Sequence, residues 1–428
     1  MPNCWASLQH ALHTALLSAE DNNQQAYYAL SHTQPLGQHD ASALAWLKGQ
    51  RHYPQCVWQP RERHGLTLAL GQVARFDSVA DAQAFVTKHA PLQVIGGVTF
   101  DGQGQFLLPR LLLHCTDSAV SATLCYCAGE SKSAVSQWLA GLNSPEAIAP
   151  VATELAFTSQ AYDQAQWCEL VRLALSRIAK GEFAKVVPAQ AKCYTLKNDL
   201  NVVDFIAHAS AEQRACYAFL WAERADEAFF GISPERFYRR HGERLDTEAL
   251  AGTVKCGESE QADQRALAWL MQDSKNSHEN HLVVDDIVQK LTPLAEAIHV
   301  GELEGRRLGY VQHLARPIAA KLKSAVGDSQ CTQAIHPSAA VGGLPKAPAM
   351  VFLAQHNIAR GWYAGTFGLM SRESSEFCVA IRSARRSGSQ IHLYAGAGIV
   401  TGSDPLLEWQ EIERKMAGIL SVLHYNGR

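Results

Sequence analysis

The stretch richest in residues that could do chemistry is Tyr394–Lys415, Tyr-Ala-Gly-Ala-Gly-Ile-Val-Thr-Gly-Ser-Asp-Pro-Leu-Leu-Glu-Trp-Gln-Glu-Ile-Glu-Arg-Lys. Tyr394–Val400 reads as a strand, but Gly396 and Gly398 remove side chains from one of its faces. Glycine weakens a strand interior, so it marks a place where a ligand or another backbone comes close. Ser403-Asp404-Pro405 then signals a helix start, with Asp404 as a cap and Pro405 in the first helical position. Along that helix Glu408, Glu411 and Lys415 fall at i, i+3 and i+7 and share one face. Two acids and a lysine beside a bare strand could hold a metal and an anionic ligand together. The same residues also fit a solvated Glu/Lys face next to a structural glycine turn.

Other polar residues interrupt apolar elements. Phe183–Pro188 reads as a strand with Lys185 among apolar neighbours. A strand-end lysine reaches water along its aliphatic stem, whereas burial favours the neutral amine that can act as a base. Ala228–Ile232 runs into Ser233-Pro234-Glu235-Arg236, where Glu235 on its own reads as an ion-pair partner of an arginine such as Arg236. Phe237–Arg240 and Leu245–Leu250 form a hairpin across His241-Gly242. That hairpin leads to Ala251-Gly252-Thr253, a small-residue corner that suits either an anion or a plain turn. Asp273 or Ser274 caps a helix through Leu291, on which Glu279, Leu282, Val283, Asp286 and Lys290 form a stripe. Carboxylates on such a face need a cation or hydrogen bonds. His278 and His281 lack the HExxH zinc spacing. Glu279 with Glu408 and Glu411 would instead give an all-oxygen site suited to Mg2+. Glu376–Ala384 reads as a strand whose Arg382 is placed either to grip a carboxylate or to snorkel.

These residues need a large scaffold. The chain has 428 residues, 47% apolar and 18% charged, with a formal net charge of −3. That is an ordinary globular composition, enough for one large domain or two to three smaller ones. The near-neutral balance and the lack of a basic cluster leave no nucleic-acid footprint. Met1–Glu20 has no basic n-region, and Trp5, Leu8, Leu12 and Leu16 repeat with helical period. It reads as an amphipathic helix and not a signal peptide. No apolar run approaches the roughly 20 residues of a membrane span. Eleven cysteines without a CxxC pair, with Cys125 and Cys127 as neighbouring free thiols on one strand face, indicate a reducing, cytoplasmic setting.

Residues 1–150 read as sheet scaffold without a motif. Tyr53–Trp58 and Leu66–Leu70 flank the Arg61–Gly65 turn, Ser78 and Asp81 start a short helix through Phe85, and Val94–Phe100 pairs with Gln105–His114. Asn143–Val151 connects this part to the next. Trp167, Leu170, Val171, Ala174 and Ile178 then form a helical stripe ending at Gly181, Cys216–Trp221 is a strand, and Ser259–Asp273 is helical. Ile335–Pro345 is a glycine- and proline-rich loop.

In order along the chain, several segments resemble the chorismate-utilising enzymes, and within them the isochorismate synthases. They are Lys185-Val-Val, Ser233-Pro-Glu235, Glu248-Ala-Leu-Ala-Gly-Thr253, Lys275-Asn-Ser-His-Glu279, the His336–Pro345 loop, Arg360-Gly-Trp-Tyr-Ala-Gly365, Val379-Ala-Ile-Arg-Ser-Ala384 and the Gly396–Glu411 segment. The resemblance spans about residues 155–425. It implies an α+β fold of two facing antiparallel β-sheets flanked by helices. On that view residues 1–428 form one large domain, with 1–150 as sheet scaffold and 155–425 as the chorismate-binding catalytic core.

The resemblance also implies roles. Lys185 matches the base that activates water for attack at ring C2, and Glu235 the acid that protonates the departing C4 hydroxyl. Glu279 and Glu411 match Mg2+ ligands, with Glu408 as an outer partner. Gly252, Thr253, Gly396 and Lys415 match substrate contacts, and Tyr363 and Arg382 the grip on the enolpyruvyl carboxylate. Two positions depart from the pattern: Gln190 stands where arginine is common, which removes an ion pair, and Ser338 where threonine is usual. Anthranilate synthases lack the equivalent of Lys185. Aminodeoxychorismate synthases of the lysine-nucleophile kind carry lysine where this chain has Ala251. Salicylate synthases keep both Lys185 and Glu235 and are the nearest alternative. The implied partner is the small molecule chorismate, with no nucleic acid, membrane or obligatory protein partner; isochorismate feeds menaquinone or a catechol siderophore, and the chain's length and long amino-terminal half look more like the menaquinone branch.

Overall fold

The computed structural model describes residues 4–19, 26–37, 40–63, 65–213, 215–257, 259–308 and 311–423. Residues 1–3 and 20 of the expected Met1–Glu20 helix, and residue 64 of the Arg61–Gly65 turn, lie outside these; the helix spans Cys4–Ser18.

Helix starts follow local side-chain chemistry. Ser78, Ser131, Asp163, Asn201, Ser259 and Asp273 each accept a backbone N–H in the first turn of the helix they precede, which satisfies donors that the helix leaves open. Asp404 does the same for helix Pro405–Leu423, accepting from Leu406 N at 2.9 Å and Leu407 N at 3.0 Å. At the other end of helix Gln164–Ala179, Gly181 adopts φ +74°, the left-handed residue that commonly ends a helix.

The strands join edge to edge, antiparallel throughout, into one long ribbon. From one end it runs Val311–Leu322, Arg244–Lys255, Arg236–His241, Ser374–Val379, Thr366–Met370, Val94–Val98 and Gly104–Cys115. It continues through Leu66–Phe76, Gln55–Gln59, Tyr217–Arg224, Glu227–Ser233, Ser383–Ser387, Gln390–Gly396 and Ala189–Leu196. The ribbon bends back so that its halves face each other. Phe219 on one half lies 5.5 Å from Phe367 on the other, ring centre to ring centre, and Tyr217 Oη donates to Glu376 Oε1 at 2.8 Å. Trp58, Ile95, Leu107, Phe229 and Cys378 fill the space between them. The two facing sheets of the expected α+β fold are thus the two halves of one hydrogen-bonded ribbon.

Helices cover the outside. Helix Ser274–Leu291 packs on strand Arg244–Lys255, and helix Pro405–Leu423 packs on strand Gln390–Gly396 and on helix Gln164–Ala179. Residues before 150 are built into the same ribbon, because Gln55–Gln59 pairs with Tyr217–Arg224 and Val94–Val98 with Thr366–Met370.

Several expected elements differ, and the pairing partner decides each case. Phe183–Pro188 contributes only the two-residue strand Lys185–Val186, paired with Gly343–Leu344; the long strand begins at Ala189. Ala251-Gly252-Thr253 is not a corner but a bulge within strand Arg244–Lys255, where the register slips between Leu250 and Thr253. Gly252 carries the bulge at φ +87°. Glu376–Ala384 is not one strand: Ser374–Val379 ends, and Ser383–Ser387 begins on a different partner. Arg382 makes the turn between them at φ 51°, a conformation uncommon for a non-glycine residue. The strand expected over Tyr394–Val400 ends at Gly396, after which Ile399 forms an isolated bridge to Val186.

Candidate active site

One cleft gathers nearly all the residues singled out above. Glu235, Gly252, Thr253, Glu279, Tyr363, Arg382, Gly396, Glu408, Glu411 and Lys415 line it. Lys185 sits just behind the wall, fully buried, with Nζ 2.9 Å from Glu279 Oε1. The pair is close, yet Nζ has no aligned hydrogen bond among the described residues.

The bare strand explains how these groups meet. A Cβ built on Gly398 would lie 2.3 Å from Glu279 Oε1 and 3.0 Å from Lys185 Cε. Glycine there leaves room for the Lys185–Glu279 pair to pass beneath the strand. Lys415 reaches across from its helix to donate to the Gly396 carbonyl at 2.8 Å and to pair with Glu411 at 2.7 Å. Lys275 pairs with the buried Glu408 at 2.7 Å. Each of the three acids therefore faces one lysine.

The acids titrate differently. Burial, followed by the charge of Glu411, raises Glu408 above the usual carboxylate range. Burial opposes ionisation of Glu411 as well, but Lys415 and Lys275 outweigh it and hold this carboxyl low. Mutual repulsion between two carboxylates at a cleft wall is relieved by a cation. Among the described residues no three His, Cys, Asp or Glu side chains form a ready-made metal cage. Mg2+ does not need one, since it takes one or two carboxylates with water and substrate oxygens, so the donor set here fits it.

Glu235 stands apart. Burial first, then the negative charge of Glu248, push its carboxyl up to about 8, while Lys185, Lys415 and Arg61 pull the other way. It is therefore a protonated acid at neutral pH. Arg236 is not its partner: that guanidinium engages Glu62, Glu376 and Tyr217, and among the described residues Glu235 makes no ion pair.

Tyr363 stacks on Tyr394 at 5.2 Å, and burial raises its hydroxyl to about 12. Thr253 Oγ1 lies 2.9 Å from His313 Nδ1. Asp286, on the expected carboxylate stripe, lies elsewhere: it pairs with Lys290 at 2.7 Å and accepts from Ala339 N, anchoring the 336–345 loop. Gln190, where an ion pair is missing, is satisfied by the backbone of Tyr162 instead.

The cleft also holds residues that the sequence did not single out for a role. His313 lines it with Nε2 free of a partner among the described residues, and burial followed by Arg382 and Lys415 lowers its pKa to about 3. A lone histidine on an apolar strand carries no signal by itself. Arg360 lies over the Phe100 ring at 4.0 Å and donates to the carbonyls of Val341 and Val187. It ties loops together and has little left to offer a ligand.

Comparison with known proteins agrees with this geometry. The family model described as chorismate binding enzyme matches residues 99–424. The isochorismate synthase MenF of Pasteurella multocida is 42% identical over 394 residues, covering 90% of this chain and 91% of its own. The isochorismate synthase MenF of Escherichia coli is 40% identical over 390 residues, 89% of this chain and 90% of its own. The solved structure of the menaquinone-specific isochorismate synthase MenF from Escherichia coli superposes with a TM-score of 0.92 at 37% identity, covering 98% of this chain and all of that one. An α+β ribbon folded on itself, a cleft that pairs three acids with three lysines, and these relatives place the chain in the family of chorismate-binding enzymes.

Proposed function

We propose that the protein is an isochorismate synthase, an isomerase that interconverts chorismate and isochorismate, for menaquinone biosynthesis. The observation that carries this reading is a fully buried lysine and a protonated glutamic acid serving one cleft. Water adds at ring C2 while the C4 hydroxyl leaves, with the double bonds shifting between them. The incoming water must lose a proton and the departing hydroxyl must gain one. Lys185 accepts the first at Nζ. Glu235 donates the second, and its raised pKa keeps that proton available at neutral pH. Water enters and water leaves, so substrate and product are isomers.

Chorismate is a dianion, and a cleft holding several glutamates would repel it. Arg382 and Lys415 supply positive charge, with Tyr363 and Arg382 facing one carboxylate and Gly252, Thr253, Gly396 and Lys415 the ring. Glu279 and Glu411, with Glu408 behind, would hold Mg2+, which when bound contributes charge neutralisation at the other carboxylate. Among the described residues no helix is long and apolar enough to cross a membrane.

Incubation with chorismate and Mg2+, followed by chromatographic product analysis, tests the reading. Isochorismate is the expected product, and Lys185→Ala should abolish its formation with the fold intact. Salicylate with pyruvate would mark the salicylate synthase alternative. No turnover, or near-normal turnover by the Lys185→Ala enzyme, would overturn the assignment.

A further inference from the structure

The residues that face the cleft do not explain what holds Glu235 in place. Its turn, Ser233–Arg236, is gripped from behind by a group from the opposite end of the sequence. Arg61 leaves the loop between strands Gln55–Gln59 and Leu66–Phe76 and enters the ribbon almost fully buried. One Nη1 proton goes to the Pro234 carbonyl at 3.0 Å, immediately before Glu235. The same guanidinium forks onto Glu248, with contacts of 2.6 and 2.9 Å to its two carboxylate oxygens. Glu248 in turn accepts the backbone N–H of Arg236 at 3.0 Å, immediately after Glu235. Arg306 closes the far side of the same carboxylate. The Glu235 carbonyl itself accepts from Val379 N at 3.0 Å, so its side chain has one direction left, into the cleft.

We propose that Arg61 and Glu248 act together as the positioning element of the proton donor: the pair clamps the peptide units on either side of Glu235 and sets a fixed negative charge behind its carboxyl. This inference rests on the reading of Glu235 as the acid. A bidentate arginine–carboxylate pair has fixed geometry, so it can hold a turn at a defined angle where a single hydrogen bond would let it rock. The charge has a second effect. Burial raises Glu248 on its own, but Arg61, Arg306 and the Arg236 amide outweigh burial and hold it at about 2, ionised at every working pH. A permanent anion beside Glu235 disfavours loss of the proton from Glu235. The other groups acting on Glu235 are Lys185 from the short strand Lys185–Val186, Lys415 from helix Pro405–Leu423, Arg61 itself, and the neutral Tyr363. Lys415 and Arg61 carry positive charge and favour the ionised form, which leaves Glu248 as the neighbouring charge that keeps the proton on.

The test is the pH profile of kcat for chorismate in wild type, Glu248→Gln, Arg61→Met, Arg61→Lys and Glu235→Gln, each normalised to folded protein by circular dichroism. Glu248→Gln removes the anion but keeps the shape. The alkaline limb should move to lower pH by about one pH unit, and kcat at pH 7.5 should fall about threefold with KM little changed. Arg61→Met removes a cation from Glu235 and uncovers Glu248, so its alkaline limb should move to higher pH while kcat falls at every pH. Arg61→Lys restores the charge without the fork. It should return the limb towards wild type and recover only part of kcat, and it remains informative if Arg61→Met does not fold. A merely structural pair would change the amount of folded protein but not the position of the limb. Wild-type profiles per folded molecule in both Glu248→Gln and Arg61→Lys, with Glu235→Gln inactive, would overturn the inference and leave the acid assignment standing. Full turnover by Glu235→Gln would instead remove the acid assignment, and the inference with it.

Discussion

At the scale of single residues, the proton on Glu235 links the proposed acid to stability. Its pKa is raised to about 8 from an ordinary value of 4.5. The sign follows from linkage: between those limits the folded protein holds a proton that the unfolded chain has released, so stability falls as pH rises through this window. Below it both states are protonated and there is no cost; above it the cost is complete. We expect Glu235→Gln, which cannot ionise, to match wild type in urea unfolding near pH 4 and to exceed it near pH 8.5. The gain should reach up to roughly 4 kcal/mol, alongside a loss of about 10²-fold or more in kcat. A Gln variant that is destabilised at both pH values would return Glu235 to a structural role. Sequence alone left this residue open, because Ser-Pro-Glu-Arg suggests a local ion pair and only the structure sends Arg236 to Glu62 and Glu376.

At the scale of elements, the site depends on the bare segment just after strand Gln390–Gly396 lying over one helix. Helix Ser274–Leu291 brings Glu279 under Gly398, and no methyl fits between them. Gly398→Ala should therefore displace Glu279 and Lys185, with activity lost far beyond any loss of folded protein. Full activity would mean the strand shifts freely. The same elements govern metal binding. Lys275 and Lys415 already face Glu408 and Glu411, so a divalent cation arriving alone adds positive charge to pairs that are already balanced, whereas a cation arriving with a dianion adds none. Mg2+ alone should raise the melting temperature little, and Mg2+ with chorismate should raise it by more than the sum of the two separately. Additive shifts would refute the coupling. The helices around this site were legible, because Asp273, Ser259 and Asp404 announce their starts with side chains that cap. The glycine-bare strand announced itself too. What could not be read were the places where pairing partners change: the break at Arg382, the bulge at Gly252 and the two-residue strand at Lys185. Each is decided by a strand distant in sequence, and local pattern carries no record of that.

At the scale of the whole molecule, strands from the first 150 residues form part of the sheet that carries the cleft. Read as sequence they offered no motif and looked like scaffold beside a core. In the fold, strands Gln55–Gln59, Leu66–Phe76, Val94–Val98 and Gly104–Cys115 are the middle of the ribbon, joining the half that carries Glu248 to the half that carries Arg382 and Gly396. Without them, Tyr217–Arg224 and Thr366–Met370 would each present an unpaired edge, an invitation to aggregate. Trp58, Ile95 and Leu107 would also leave the space between the halves, exposing Phe219 and Phe367. Loss of one large buried side chain commonly costs roughly 3–5 kcal/mol, against a total stability of about 5–15 kcal/mol. A chain beginning at residue 155 should therefore fail to fold, even though it contains every residue lining the cleft. It would show exposed apolar surface by dye binding, no cooperative melting transition, and no isochorismate formation. Supplying residues 1–150 as a separate chain tests the reason. If the ribbon needs these strands only as neighbours, co-expression of the two pieces should restore a soluble complex with partial turnover, because edge pairing does not require a continuous chain. A piece from 155 onward that melts cooperatively alone and turns over chorismate would show that the two halves assemble without the strands between them.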